Sequence, residues 1–269
     1  MRKIIASSVA IASGVAMAMG VGASAYADDE KSSGFTFSAN TTFATDYRFR
    51  GISQTENDFT IQGGFDVSHE DGFYAGAWAS NLSGWGTFGG SNTELDLYGG
   101  YQTELDGIAF DVGAVYYVFP QGSSRTSYAE IYGSVGKSFE GVDLSVGANY
   151  AFKQDSLSLN DVKQDNLYVY ADAGYEIPST PFSIAAHFGY SDGNPGAGPN
   201  GWVPSPTGTY VDWSVGVSAA LPWGPLSASV TYVDTDISRT EAAEYQLVNP
   251  GYRFGIGDAT GVFALSASF

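Results

Sequence analysis

The stretch "FTFSANTTFATDYRF", Phe35 to Phe49, alternates along its whole length. Phe35, Phe37, Ala39, Phe43, Tyr47 and Phe49 fall on one side, and Thr36, Ser38, Asn40, Thr42, Asp46 and Arg48 on the other. Period two over this length predicts a strand with one apolar and one polar face. The same signature returns down the chain. In "DFTIQGGFDVSH", Phe59, Ile61, Phe65 and Val67 oppose Asp58, Thr60, Gln62 and Asp66. In "TELDLYGGYQTEL", Leu95, Leu97, Tyr101 and Leu105 oppose Glu94, Asp96, Tyr98, Gln102 and Glu104. Further segments begin near Ile108, Tyr128, Val142, Asn166, Phe182, Tyr210, Leu226 and Ala259. "FYAGAWASNL", Phe73 to Leu82, completes a set of twelve, but its Tyr74 and Trp78 oppose Phe73 and three alanines, so its apolar side stays open.

The connections alternate in length. "EDG", "DG", "EG", "PSTP" and "PWGP" are tight-turn chemistry. Between them lie long links such as "RGISQTEN", "FPQGSSRTS", "DGNPGAGPNGWVPSPTGT" and the segment from Asp236 to about Asp258. Short turns on one side and long loops on the other describe an antiparallel up-and-down meander, an all-β fold. A soluble barrel would turn the apolar faces inward; an outer-membrane barrel turns them to lipid and the polar faces to the lumen.

Strand length and aromatic placement decide for the membrane. Segments of roughly ten residues or a little more match tilted spanning strands. The apolar-face aromatics gather near the loop ends (Tyr47, Phe59, Tyr116, Tyr150, Tyr190, Trp213, Tyr232) and near the turn ends (Phe35, Phe37, Tyr101, Phe110, Phe139, Tyr175, Phe182). Two aromatic girdles around a plain aliphatic band suit a bilayer-facing transmembrane β-barrel of about twelve strands. Lys137 and His69 fall on the lipid side, each near a short turn, where a long side chain can reach the interface.

The first residues carry a basic start (Arg2, Lys3), an apolar run from Ile4 and small residues at Ala25 and Ala27. This predicts a secretory signal peptide over 1–27, with cleavage after Ala27 or, as the minor alternative, Ala25. A short periplasmic segment, 28–33, then precedes a barrel over 34–269. Without Arg2 and Lys3 nine bases face twenty-nine acids, a net charge of −20. A surface so acidic does not suit nucleic acid. The chain has no cysteine, which excludes disulfides and thiolate chemistry.

"NTTFATDYRFRGISQT", Asn40 to Thr55, with "GFYAGAWASNL" and "TELDLYGGYQ", resembles the TorF family of outer-membrane porins over essentially the whole mature chain. The ending "GVFALSASF" resembles the C-terminal signal, closing on Phe269, by which Gram-negative barrels are recognised for insertion. These resemblances imply the bacterial outer membrane, the barrel-assembly machinery as a partner, and a channel for small hydrophilic solutes or cations.

With polar faces inward, the lumen receives Asp46, Asp58, Glu94, Asp96, Asp111, Glu130, Asp172 and Asp212, with Asp66, Glu104, Asp143 and Glu176. Against them stand Arg48, Arg50 and Lys153; Tyr117, Tyr132 and Tyr170, with Tyr98, Tyr128 and Tyr168, add aromatic bulk. Such a lumen prefers cations if it conducts, while some acids could instead pair with the few bases. Arg48 and Arg50 either pair with Asp58, Glu94 or Asp96 to close a rim, the reading we prefer, or contact a solute. Twelve strands lie between a filled barrel and an open channel. Catalysis would require a base beside a nucleophile or acid; His69 points to lipid, and His187 points inward with no adjacent acid in sequence. "NDVKQD" and "DGNPGAGPNG" lack calcium-loop spacing, and no cofactor motif is present. A non-conducting barrel whose loops bind a partner is the alternative from another class.

Overall fold

The computed structural model describes residues 34–122, 126–196, 201–247 and 255–269. The expected signal peptide and the 28–33 segment lie outside these residues. Twelve antiparallel strands close into a barrel. They are β1 Phe35–Ala44, β2 Thr60–His69, β3 Phe73–Asn81, β4 Thr93–Leu105, β5 Ile108–Val118 and β6 Tyr128–Phe139, then β7 Val142–Ala151, β8 Asn166–Glu176, β9 Phe182–Gly193, β10 Thr209–Ala220, β11 Leu226–Thr235 and β12 Thr260–Ser268. Each strand pairs with its neighbour in sequence, and β1 closes on β12 from Asn40↔Ser268 to Ala44↔Ala264. Phe269 extends that seam through reciprocal backbone bonds with Ala39. Closure leaves no sheet edge to lipid, the condition for strands to span a bilayer.

The outward face is apolar, with Phe37 72 % and Phe65 62 % exposed. The two girdles stand outward as expected except at Tyr47, 0 % exposed, and at Phe49, 8 % exposed, which the same alternation sets beside it. Lys137 is exposed, and His69 packs edge-on against Phe35 at 4.7 Å. In β3 the open assignment resolves: Phe73 faces out, while Tyr74 and Trp78 face in. The inward choice gives the Tyr74 hydroxyl a carboxylate acceptor in Asp111 at 2.7 Å, which lipid could not offer.

Inward tyrosines lie flat on the wall because the residue opposite is glycine. Tyr98 faces Gly76, Tyr74 faces Gly100, Tyr132 faces Gly113 and Tyr170 faces Gly147 across strand pairs. A Cβ on any of these glycines would meet the tyrosine ring or hydroxyl. Small and large thereby alternate around the wall, and the rings stay out of the lumen's centre.

The largest departure from the sequence reading is at the first strand. The alternation runs to Phe49, but β1 stops at Ala44. Fifteen alternating residues exceed what a tilted spanning strand requires, and the surplus turns inward.

Candidate functional site

Residues 45–59 enter the barrel from the long-loop side. At their centre a small hairpin pairs Arg48 with Ser53 and Phe49 with Ile52. Its tip is Arg50 and Gly51, both at positive φ, +48° and +79°. Two left-handed residues at a two-residue turn are what a tight hairpin of right-twisting strands needs. Glycine takes this conformation freely; arginine is strained by it. The strained residue is the one whose side chain crosses to β6 and β8.

Arg50 extends to the far wall. Its Nη2 donates to Glu130 Oε2 of β6 at 2.6 Å and its Nη1 to Asn166 Oδ1 of β8 at 3.1 Å. Its guanidinium stacks 4.4 Å from the Tyr168 ring and 4.7 Å from Phe49. Tyr210 of β10 donates its hydroxyl to the Arg50 carbonyl at 3.0 Å. Burial alone would lower the guanidinium's proton affinity, but Glu130 outweighs it and the pKa is raised above its ordinary value. Arg50 stays charged.

Arg48 folds the loop on itself. Nε meets Asp46 Oδ2 at 2.5 Å, Nη1 donates to the carbonyls of Gly51 at 2.9 Å and Ile256 at 2.7 Å, and Nη2 donates to Asn57 Oδ1. Asp46 in turn accepts from the Ser53 hydroxyl at 2.5 Å and the Thr55 hydroxyl at 3.0 Å. The expected pairing with Asp58, Glu94 or Asp96 is therefore corrected: Arg48 takes Asp46 and Arg50 takes Glu130. Tyr47 and Phe49, placed by alternation in the lipid girdle, pack inside instead. Tyr47 meets Trp78 at 5.4 Å, and Phe49 meets Tyr117 at 5.8 Å. Burial first, then the charges of Glu94 and Asp96, push the Tyr47 phenol well above its ordinary range.

Two other loops back this one. Ser53 N–H donates to Ile256 O at 2.8 Å, and Ile52 joins Ile237, Ala242, Leu247 and Ile256 of the last loop in one apolar cluster. Ser83 N–H donates to Gln54 O at 3.1 Å, bringing in the loop that carries Trp85 and Phe88. A small cleft between them is lined by Phe49, Ile52, Trp85, Phe88, Glu94 and Phe119. At this level every strand contributes a buried inward residue: Ala44, Thr60, Ser80, Asp96, Tyr117, Glu130, Asn149, Asn166, Ser191, Asp212, Val233 and Val262. The lumen is sealed here.

Towards the short turns it opens. Glu104, Asp143 and Glu176 are exposed, and Asp66 and Asp172 are half-buried. Asp111 accepts from Tyr74, whose hydroxyl also lies 2.6 Å from that of Tyr132; Tyr98 donates to Asp66. Asp58 and Lys153, expected in the lumen, lie in exposed segments beyond the strand ends, Asp58 accepting from Phe59 N–H at 2.7 Å.

Sequence reasoning missed one constellation. His187 Nδ1 lies 2.6 Å from Asp172 of β8, its Nε2 3.3 Å from Asp212 of β10 and 2.7 Å from the Tyr168 hydroxyl. No acid adjoins His187 in sequence because both come from neighbouring strands. The signal was in the register, which sets Asp172 opposite His187.

Among solved structures the fold is similar to the NanC porin, at TM-score 0.53 and 12 % identity, covering 87 % of this chain and 98 % of that one. It is similar also to the KdgM porin, at TM-score 0.55 and 8 % identity, covering 86 % and 99 %. At such identities the likeness concerns fold: a porin-like barrel of the outer-membrane type. No curated protein matches the sequence. A family model does match, over residues 28–269, and by it the chain belongs to the Gcw_chp family of bacterial proteins of unknown function.

Proposed function

We propose that the protein is an outer-membrane channel for small hydrophilic solutes, preferring cations, whose first long loop closes the lumen in this state. The observation that carries the reading is the charge of the inward face. Glu94, Asp96, Asp111, Glu130, Asp172 and Asp212 lie on it, while the two arginines that share the lumen arrive on the loop. With the loop displaced, a path lined by acids would attract cations and repel anions. The TorF-like stretch from Asn40 to Thr55 coincides with the closing element.

One solved structure is the KdgM porin in complex with oligogalacturonate, a polyanionic sugar chain. This lumen offers such a ligand repulsion, so the shared fold does not carry over that solute. Catalysis forms no part of this reading: His187 bridges Asp172 and Asp212 across neighbouring strands and meets the Tyr168 hydroxyl, an arrangement that suits a structural tie in the wall. Export to the outer membrane and insertion through the Phe269 end belong to the same proposal. The sealed layer favours a second reading, a non-conducting barrel.

Planar-bilayer recording separates the two. Replacing Arg48–Ser53 with a short Gly-Ser link should convert rare openings into steady, cation-selective conductance. A folded barrel that stays silent after this replacement would establish the non-conducting reading.

A further inference from the structure

The surroundings of Arg50 hold more acceptor capacity than one arginine uses. Three carboxylates, Glu94, Asp96 and Glu130, are buried together and interact electrostatically, and Arg50 makes an ion pair with Glu130 alone. Glu130 Oε1, Asp96 Oδ1 and Asn149 Oδ1 are buried without a hydrogen-bond partner. Asn149 belongs to the same group, since its Nδ2 donates to Glu130 Oε2 at 3.2 Å. Arg50 itself engages Glu130 through Nη2 only and leaves its buried Nε unpartnered. A planar guanidinium meets a carboxylate best as a fork, two N–H groups on two oxygens. Held on a strained hairpin tip, Arg50 does not achieve this. Tyr117, Tyr128 and Tyr168 supply the aromatic walls, with the Tyr168 ring 4.4 Å from the charge. Acid edges and aromatic faces together recognise an organic cation.

We propose that this box is a recognition site for a small organic cation with a guanidinium or primary ammonium head, and that Arg50 fills it as a tethered stand-in while the loop is closed. A free cation can turn to engage both Glu130 oxygens, and a second positive group on the same molecule finds Asp96 and Glu94, which make no ion pair among the described residues. The site rests on the channel reading, because the cation reaches it when the loop leaves.

The test is binding to the Arg50→Ala protein purified in detergent, its barrel verified by heat-modifiable migration. Agmatine carries the matching chemistry; urea is the neutral isostere of its head. Agmatine should raise the melting temperature of Arg50→Ala and leave the wild type unmoved, urea should shift neither, and adding Glu130→Gln should weaken agmatine binding about tenfold, the effect of one charge-assisted hydrogen bond. Equal responses to agmatine and urea, or none in a folded barrel, would overturn the proposal. If Arg50→Ala does not fold, Arg50→Lys serves: agmatine should at least double hydrogen exchange across residues 45–59, and unchanged exchange overturns it. Binding in detergent needs no conductance. A silent channel that binds agmatine therefore counts against the channel alone, and a cation-selective channel that ignores agmatine counts against the site alone.

Discussion

Glu130→Gln removes one charge and almost no volume, at the point where the loop meets the far wall. In the native protein the Glu130 and Arg50 side chains are both 0 % exposed, 2.6 Å apart. Removing one partner of a buried pair costs about 3–5 kcal/mol, because the other charge is left uncompensated. Arg50 makes no other ion pair among the described residues, but it keeps Asn166 at 3.1 Å and the Tyr168 ring. Those contacts retain roughly 1–2 kcal/mol, so the closed loop loses about 2 kcal/mol, a roughly thirtyfold shift towards the displaced state. Single-channel open probability should rise by that order, and hydrogen exchange at residues 45–59 should accelerate with it. In the double variant Arg50→Gln, Glu130→Gln both charges of the buried pair disappear together, and closure should return towards the wild type. An unchanged open probability in a folded Glu130→Gln barrel would refute the latch. A double variant as open as the single one would refute its electrostatic cause.

Other expectations concern the wall and the loops. Gly113→Val places a branched side chain where the Tyr132 ring and hydroxyl lie, and should destabilise the barrel by about 1–3 kcal/mol, read as a lower temperature for loss of heat-modifiable migration. His187→Ala leaves Asp172 and Asp212 facing each other without their shared partner; the barrel should melt earlier by about 1–3 kcal/mol, whereas an unchanged midpoint would show that the bridge contributes nothing. The short helix Arg239–Glu244 opens with a capping box in which Ser238 and Glu241 bond reciprocally. The Ser238 hydroxyl and backbone hold the Glu241 carboxyl below its ordinary value of 4.5, so their stabilising effect is present above that value and fades as pH falls through the lowered one. Hydrogen exchange in this turn should speed up on acidification, and Glu241→Gln should remove that dependence.

The barrel was legible because spanning strands repeat one constraint twelve times. Segment starts from Ile108 to Leu226 agree with the structure within a residue, since tight-turn chemistry precedes Ile108, Val142, Phe182 and Leu226, and period two resumes after the polar loops before the others. The end of β1 was not legible from periodicity, because a hairpin folded into the lumen alternates just as a wall strand does. Apolar Tyr47 and Phe49 then meet Trp78 and Tyr117 inside, a loop-built core that mimics a lipid girdle in sequence. What distinguished the segment was its excess length and the Arg50-Gly51 pair, a turn signal inside a strand pattern. The partners of Arg50 and His187 were illegible for another reason. Glu130 lies 80 residues from Arg50, and no local rule selects it over the other acids.

The loop's anchorage also sets an order of events in biogenesis. Arg48 donates to the carbonyls of Ile256 and Asp258, 208 and 210 residues further along the chain. Those acceptors become available only when the last loop has been made and β12 brings it home beside β1. Contacts of such sequence separation form late, after the loop between them has closed. The loop is thus seated last, and a chain lacking its final hairpin would leave Arg48 without these anchors.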